Sequence, residues 1–323
     1  MIVYFDQNAL SDLRERKRKN SDTFSIIFKL IEDKKISVRY SRTHLDEIKN
    51  ISVSMYQDEH IDLLDSVRAR YLGSTKGVID IRTPWSIWNE YLDSEMENSF
   101  DGSNDAYLAL ENLSKKISGI PSTPGFLELH EEIQDIALSM IMSAEDNLLD
   151  VTHEELAFAG TSAKAIKESL NKLKEQAMNM EAINIAEDEE LGPRSFRALL
   201  NEKGMNMADL PSHRVINIIE DLMYQESGYR FPHRDQEDVS SKISVSYTLM
   251  NWAGYYPDDF TKIKKGKDRF KASNYDKEHV LAAHECDFLV SSDFRFSKKA
   301  LACYDYIGSK TKVVEPDWLA KNL

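Results

Sequence analysis

Ile2-Val3-Tyr4-Phe5-Asp6 and, far along the chain, Phe288-Leu289-Val290-Ser291-Ser292-Asp293 are two short runs of β-branched, aromatic and aliphatic residues that stop at a carboxylate. A run that is apolar at every position has no face meant for water, so it reads as a strand buried on both sides of a sheet. Outward from the first run, Phe24, Ile27, Phe28, Leu30 and Ile31 recur at helical spacing. Ile36-Ser-Val38-Arg-Tyr40 then alternates like a strand, and Ser41 or Thr43 can cap the helix after it. Around the second run, residues 276–285 read as a helix with Val280, Leu281 and Ala283 inward, and Lys312-Val-Val314 is a further strand before Pro316. Strands alternating with helices at both ends predict an α/β fold.

Between about residues 76 and 245 the pattern changes to long helical stretches, broken at Gly119-Ile-Pro121-Ser-Thr-Pro124-Gly125, at the acidic run before Gly192-Pro193, and at Leu210-Pro211. The expected organisation is one α/β domain in two halves, residues 1–75 and 246–323, interrupted by an acidic helical insertion over 76–245. The chain has 323 residues, 41% hydrophobic and 30% charged, which is ample for a packed core and too well mixed for disorder. No run of about 18 uncharged apolar residues is present, so no membrane partner is expected. Cys286 and Cys303 are the only cysteines, too few for a disulfide framework, and the cytoplasm is the expected location. The net charge of −14 is concentrated in the middle, while both ends carry a slight excess of Lys and Arg.

Asp6 and Asp293 each follow a predicted strand, at the edge of an open sheet where ligands bind. Asp276 opens the helix leading into the second strand, and Glu47 lies in the first turns of the helix after Ile36–Tyr40. Capping or a helix dipole explains each acid singly. Their shared edge is better explained by a bound cation, and a cluster of hard oxygen donors suits Mg²⁺ or Mn²⁺ together with a phosphate. Asp46, as the third residue after Thr43, reads instead as a capping-box partner. His279 and His284 are five residues apart and face different sides of a helix, which does not suit zinc. Neither a P-loop nor a dinucleotide fingerprint is present.

At these residues the chain resembles the PIN-domain nucleases. The likeness lies in Ile2-Val-Tyr-Phe-Asp6-Gln-Asn8, in Thr43-His-Leu-Asp-Glu47-Ile48, and in the stretch from Asp276 through the strand to Ser292-Asp293. The resemblance implies a three-layer α/β/α domain with a central parallel sheet. It also implies Asp6, Glu47, Asp276 and Asp293 as metal-binding catalytic acids, with Asn8 and Ser292 supporting them. It further implies cleavage of RNA, or less often DNA, and such nucleases often act as toxins or in phage defence.

Basic residues beside the acids are the expected phosphate-backbone contacts: Arg14, Arg16 and Lys17; Lys264, Lys265 and Lys267; Arg295 and Lys298. Trp85, Trp88 and Trp252 read as core residues rather than base-stacking platforms. The expectation is therefore a Mg²⁺- or Mn²⁺-dependent endoribonuclease that acts on RNA, with single-stranded DNA as a second candidate substrate. The helical insertion would serve a homo-oligomer or a protein regulator. A haloacid-dehalogenase-like phosphatase is the alternative enzyme, although it needs a second Asp where this chain has Asn8. An inactive PIN-like binding module is the alternative without chemistry.

Overall fold

The structure, a computed structural model, describes residues 1–19, 21–73, 79–98, 125–152, 161–179, 202–227, 238–258 and 269–323, with a few isolated positions between them. Six strands form one sheet: β1 Ile2–Phe5, β2 Ser37–Tyr40, β3 Arg70–Leu72, β4 Ile79–Asp80, β5 Phe288–Val290 and β6 Lys312–Val314. Their order across the sheet is β4-β3-β2-β1-β5-β6. Every neighbouring pair is parallel except β3 with β4. The α/β class is as expected. The sheet is mixed rather than wholly parallel, because β4 returns antiparallel along one edge. Both β3 and β4 are too short and too polar to stand out as strands in the sequence.

The helices are α1 Gln7–Glu15, α2 Asp22–Glu32, α3 Arg42–Lys49, α4 Ser54–Ser66, α5 Pro84–Asn98, α6 Phe126–Asp150, α7 Ala163–Met178, α8 Ser212–Ser227, α9 Val239–Ala253, α10 Arg269–Ala283, α11 Phe294–Ile307 and α12 Pro316–Asn322. Side chains alternate across the central strands and feed two cores. Tyr4 and Leu289 enter a cluster with Val215 and Ile219 of α8, Ile243 and Met250 of α9, Val280 of α10 and Ala300 of α11. Val3, Phe5, Phe288 and Val290 enter a second, with Leu10 and Leu13 of α1, Ile27 of α2, Ile61 of α4 and Trp88 of α5. The sheet thus lies between two helical layers.

This packing redraws the expected insertion. The boundary at residue 245 falls inside α9, and α8 and α9 belong to one of the two layers that cover the sheet. Helix α5 belongs to the other through Ile87, Trp88 and Tyr91. Helical periodicity reports that a face is buried but not what it is buried against, so these helices looked like a separate unit. Helices α6 and α7 do pack on each other, around Ile141, Leu148, Leu170 and Ala177, in a cluster apart from both main cores. Trp88 and Trp252 are core residues, as expected. Among the described residues no helix is long and apolar enough to cross a membrane.

Candidate functional site

The chain runs from β1 outward to β2 and β3 on one side and returns to place β5 and β6 on the other, so the strand order reverses between β1 and β5. The crevice beyond the carboxyl ends of such a strand pair is the usual ligand site of an open α/β sheet. Asp6 follows β1 there, its N–H bonded to the Val290 carbonyl of β5 at 3.0 Å. Its Oδ1 accepts the Ala9 N–H at 2.7 Å and caps α1, while Oδ2 accepts the Ser291 hydroxyl. Asp293 caps α11 through the Phe296 N–H at 2.9 Å, and its own N–H donates to Ser291 Oγ at 3.0 Å. Ser291 therefore joins the Asp6 carboxylate to the backbone of Asp293. Ser292, the serine expected to support the acids, is exposed, as is Asp293, while Ser291 is buried. Burial raises the Asp6 pKa above the usual carboxylate value, against the lowering effect of the Ser291 and Ala9 hydrogen bonds. Asn8 is exposed on α1, at an open depression of about 550 Å³ that Ser11, Tyr56 and His60 also line.

Glu47, on α3, presents its carboxylate to His279 of α10: Oε2 to Nε2 is 2.6 Å. The other imidazole nitrogen, Nδ1, is 2.8 Å from the Tyr4 hydroxyl, which is 2.7 Å from Ser41 Oγ. Beside this chain of contacts, His44 Nδ1 accepts the Ser41 N–H at 3.2 Å and Nε2 donates to the Phe5 carbonyl at 2.8 Å. A backbone donor on one side and a backbone acceptor on the other fix His44 as neutral imidazole. Burial, and then the adjacent His279, hold its pKa well below 6.5. The capping box that the sequence suggested for Thr43 and Asp46 is built two residues earlier, by Ser41 and His44. Asp46 turns outward to accept the Tyr91 hydroxyl at 2.6 Å.

Asp276, also on α10, has its carboxyl held well above the ordinary range, first by burial and then by the charges of Asp258, Asp293 and Glu47, with Lys299 opposing. Asp258 was not singled out from the sequence. It accepts from Lys299 Nζ at 2.7 Å and from the Ser273 hydroxyl at 2.6 Å, and Lys299 Nζ also donates to Asn251 Oδ1 at 3.1 Å. Lys299 is fully buried, with its ammonium 4.3 Å from the centre of the Tyr247 ring. Tyr247 is itself buried, and its hydroxyl has no hydrogen-bond partner among the described residues, although the charges of Asp276, Asp258 and Asp293 reach it.

The four predicted acids are thus brought to one region, where Asp6 feels Glu47, and Asp276 feels both Asp293 and Glu47. Among the described residues, however, no three His, Cys, Asp or Glu side chains are gathered closely enough to hold a metal ion as they stand. The donor chemistry nevertheless fits a hard divalent cation. Carboxylates that raise one another's pKa are relieved by added positive charge. No protein-family model, curated protein or solved structure matches this chain.

The basic residues divide. Arg14 is largely buried against Glu15 and the Tyr56 carbonyl, Arg16 lies over the Phe28 ring, and Lys17 is exposed. Arg295 is exposed and donates to the Pro257 carbonyl at 3.2 Å, while Lys298 lies near the Phe294 ring. Lys264, Lys265 and Lys267 lie outside the described residues, as does His233. His284 bonds the Leu281 carbonyl, away from His279. Tyr4, Ser41, His44, Asp258, His279, Ser291 and Lys299 complete the site but carry no local motif. Only the coincidence of a histidine and a carboxylate on facing helices could have signalled them.

Proposed function

We propose that the chain is a Mg²⁺- or Mn²⁺-dependent endoribonuclease of PIN-like type, acting on RNA with single-stranded DNA as a second candidate. The observation that carries this reading is the pair Asp6 and Asp293, which end neighbouring strands where the strand order reverses and share one serine. Glu47 and Asp276 stand within reach of their charges. Asp6 and Asp293 would hold the ion, and Glu47 and Asp276 would complete its surroundings and orient the attacking water. When bound, a divalent ion neutralises the phosphodiester and acidifies water. The products would carry 5′-phosphate and 3′-hydroxyl ends.

The phosphatase alternative draws less support. Its nucleophile would be Asp6, and Asn8 stands where the acid partner is needed. Incubation of labelled RNA and single-stranded DNA with Mn²⁺ or with EDTA is the direct test. Cleavage is expected only with the metal, and Asp6→Asn and Asp293→Asn should each abolish it while leaving the circular-dichroism spectrum unchanged. Full activity in both variants would remove the reading.

A further inference from the structure

We propose that His279 is a positioning residue for Glu47, locked in turn by Tyr4 and Ser41; this rests on the metal-centre reading above. Four side chains from three elements form an unbroken line: Glu47 on α3, His279 on α10, Tyr4 on β1, and Ser41 at the cap of α3. One arrangement of protons satisfies every member, with Nε2–H donating to Glu47, the Tyr4 hydroxyl donating to Nδ1, and the Ser41 hydroxyl donating to Tyr4. His279, Tyr4 and Ser41 are buried, so none can exchange its partner for water. Glu47 keeps 23% of its side chain exposed and is the one member of the line open to solvent. The line therefore has one working end. An interior chain of hydrogen bonds that terminates on a solvent-facing carboxylate fixes that carboxylate's rotamer and leaves its second oxygen available to a cation. Partners behind a ligating carboxylate commonly govern metal affinity in this way.

A purely structural role for His279, tying α10 to α3, would affect folding and leave ion affinity alone. The experiment separates the two. Mn²⁺ uptake by the full chain is measured by titration calorimetry in the absence of nucleic acid, alongside thermal melts. His279→Leu, which deletes both hydrogen bonds, should weaken Mn²⁺ binding about 10-fold or more. His279→Gln, which can still present an N–H to Glu47, should recover most of the affinity. Tyr4→Phe, which keeps the ring and removes one hydroxyl, covers the case in which the leucine variant does not fold, and should weaken binding several-fold. As a second readout, the His279 Nε2–H proton resonance should move in Glu47→Gln. Wild-type Mn²⁺ affinity in folded His279→Leu or Tyr4→Phe would overturn the positioning role while the metal reading stands. Absence of Mn²⁺ uptake by the wild type would overturn both.

Discussion

At the scale of single residues, the two adjacent serines after β5 give the sharpest contrast. Ser291 is fully buried, donates to Asp6 and accepts from Asp293, whereas Ser292 is exposed. Removing the Ser291 hydroxyl leaves a buried carboxylate oxygen without its donor, which costs about 1–3 kcal/mol. Ser291→Ala should lower stability by that amount in urea titrations, while Ser292→Ala should stay within about 0.5 kcal/mol of wild type. Equal effects of the two would contradict the bridge. The acids themselves were legible in the sequence, because a carboxylate ending an apolar strand is unusual enough to notice. Which serine supports them was not, since alternation along a strand gives the facing of neighbours only once the register is known.

At the scale of elements, α11 does two jobs. Its amino end is capped by Asp293 in the crevice, and one and a half turns later Lys299 is buried against Asp258 and Asn251, the latter on α9. Because the fully buried Lys299 ammonium cancels charge close to Asp276, it keeps the acids tolerable to the fold in the absence of any ion. Lys299→Met should destabilise the chain by about 3 kcal/mol, the low end for breaking a buried pair, because Asp258 keeps 21% of its side chain exposed and can be partly rehydrated. A denaturation midpoint unchanged from wild type would show the pair to be dispensable. In the sequence, Lys299 stands beside Lys298 as one more basic residue after Asp293. Nothing in a single sequence tells a lysine that points outward from one that a distant aspartate has drawn in.

At the scale of the whole molecule, stability should depend on pH through two opposed groups. The carboxyl of Asp276 titrates well above its ordinary 3.8, so between that pH and its raised value the folded chain holds a proton that the unfolded chain has lost. Stability therefore falls as pH rises through that window. His44 titrates well below its ordinary 6.5, so stability also falls as pH drops beneath that value, where the unfolded chain gains a proton that the folded one refuses. Asp276→Asn should thus melt at a higher temperature than wild type at about pH 8 without divalent ions, and the advantage should shrink as Mn²⁺ is added to wild type or as pH falls toward about 4. A lower melting temperature for the variant at about pH 8 would mean that the carboxylate is stabilised by a partner in the folded chain and would overturn the prediction. The α/β class was legible because Ile2–Phe5 and Phe288–Val290 lack any polar face and Ile36–Tyr40 alternates between buried and polar positions. The layer formed by α8 and α9 was not, because burial against a sheet and burial within a helical bundle leave the same periodicity.

The hydrogen bond from Ser291 to Asp6 joins residues 285 positions apart. A ribosome adding about 5–20 residues per second needs on the order of 15–60 seconds to supply the later partner after the earlier one has emerged. Until β5 is made, the edge of β1 opposite β2 has no partner strand, and neither Ser291 nor Asp293 exists to meet Asp6. Whatever chemistry the crevice performs is withheld from the nascent polypeptide, and a premature stop anywhere before β5 yields a fragment that lacks the second half of the site.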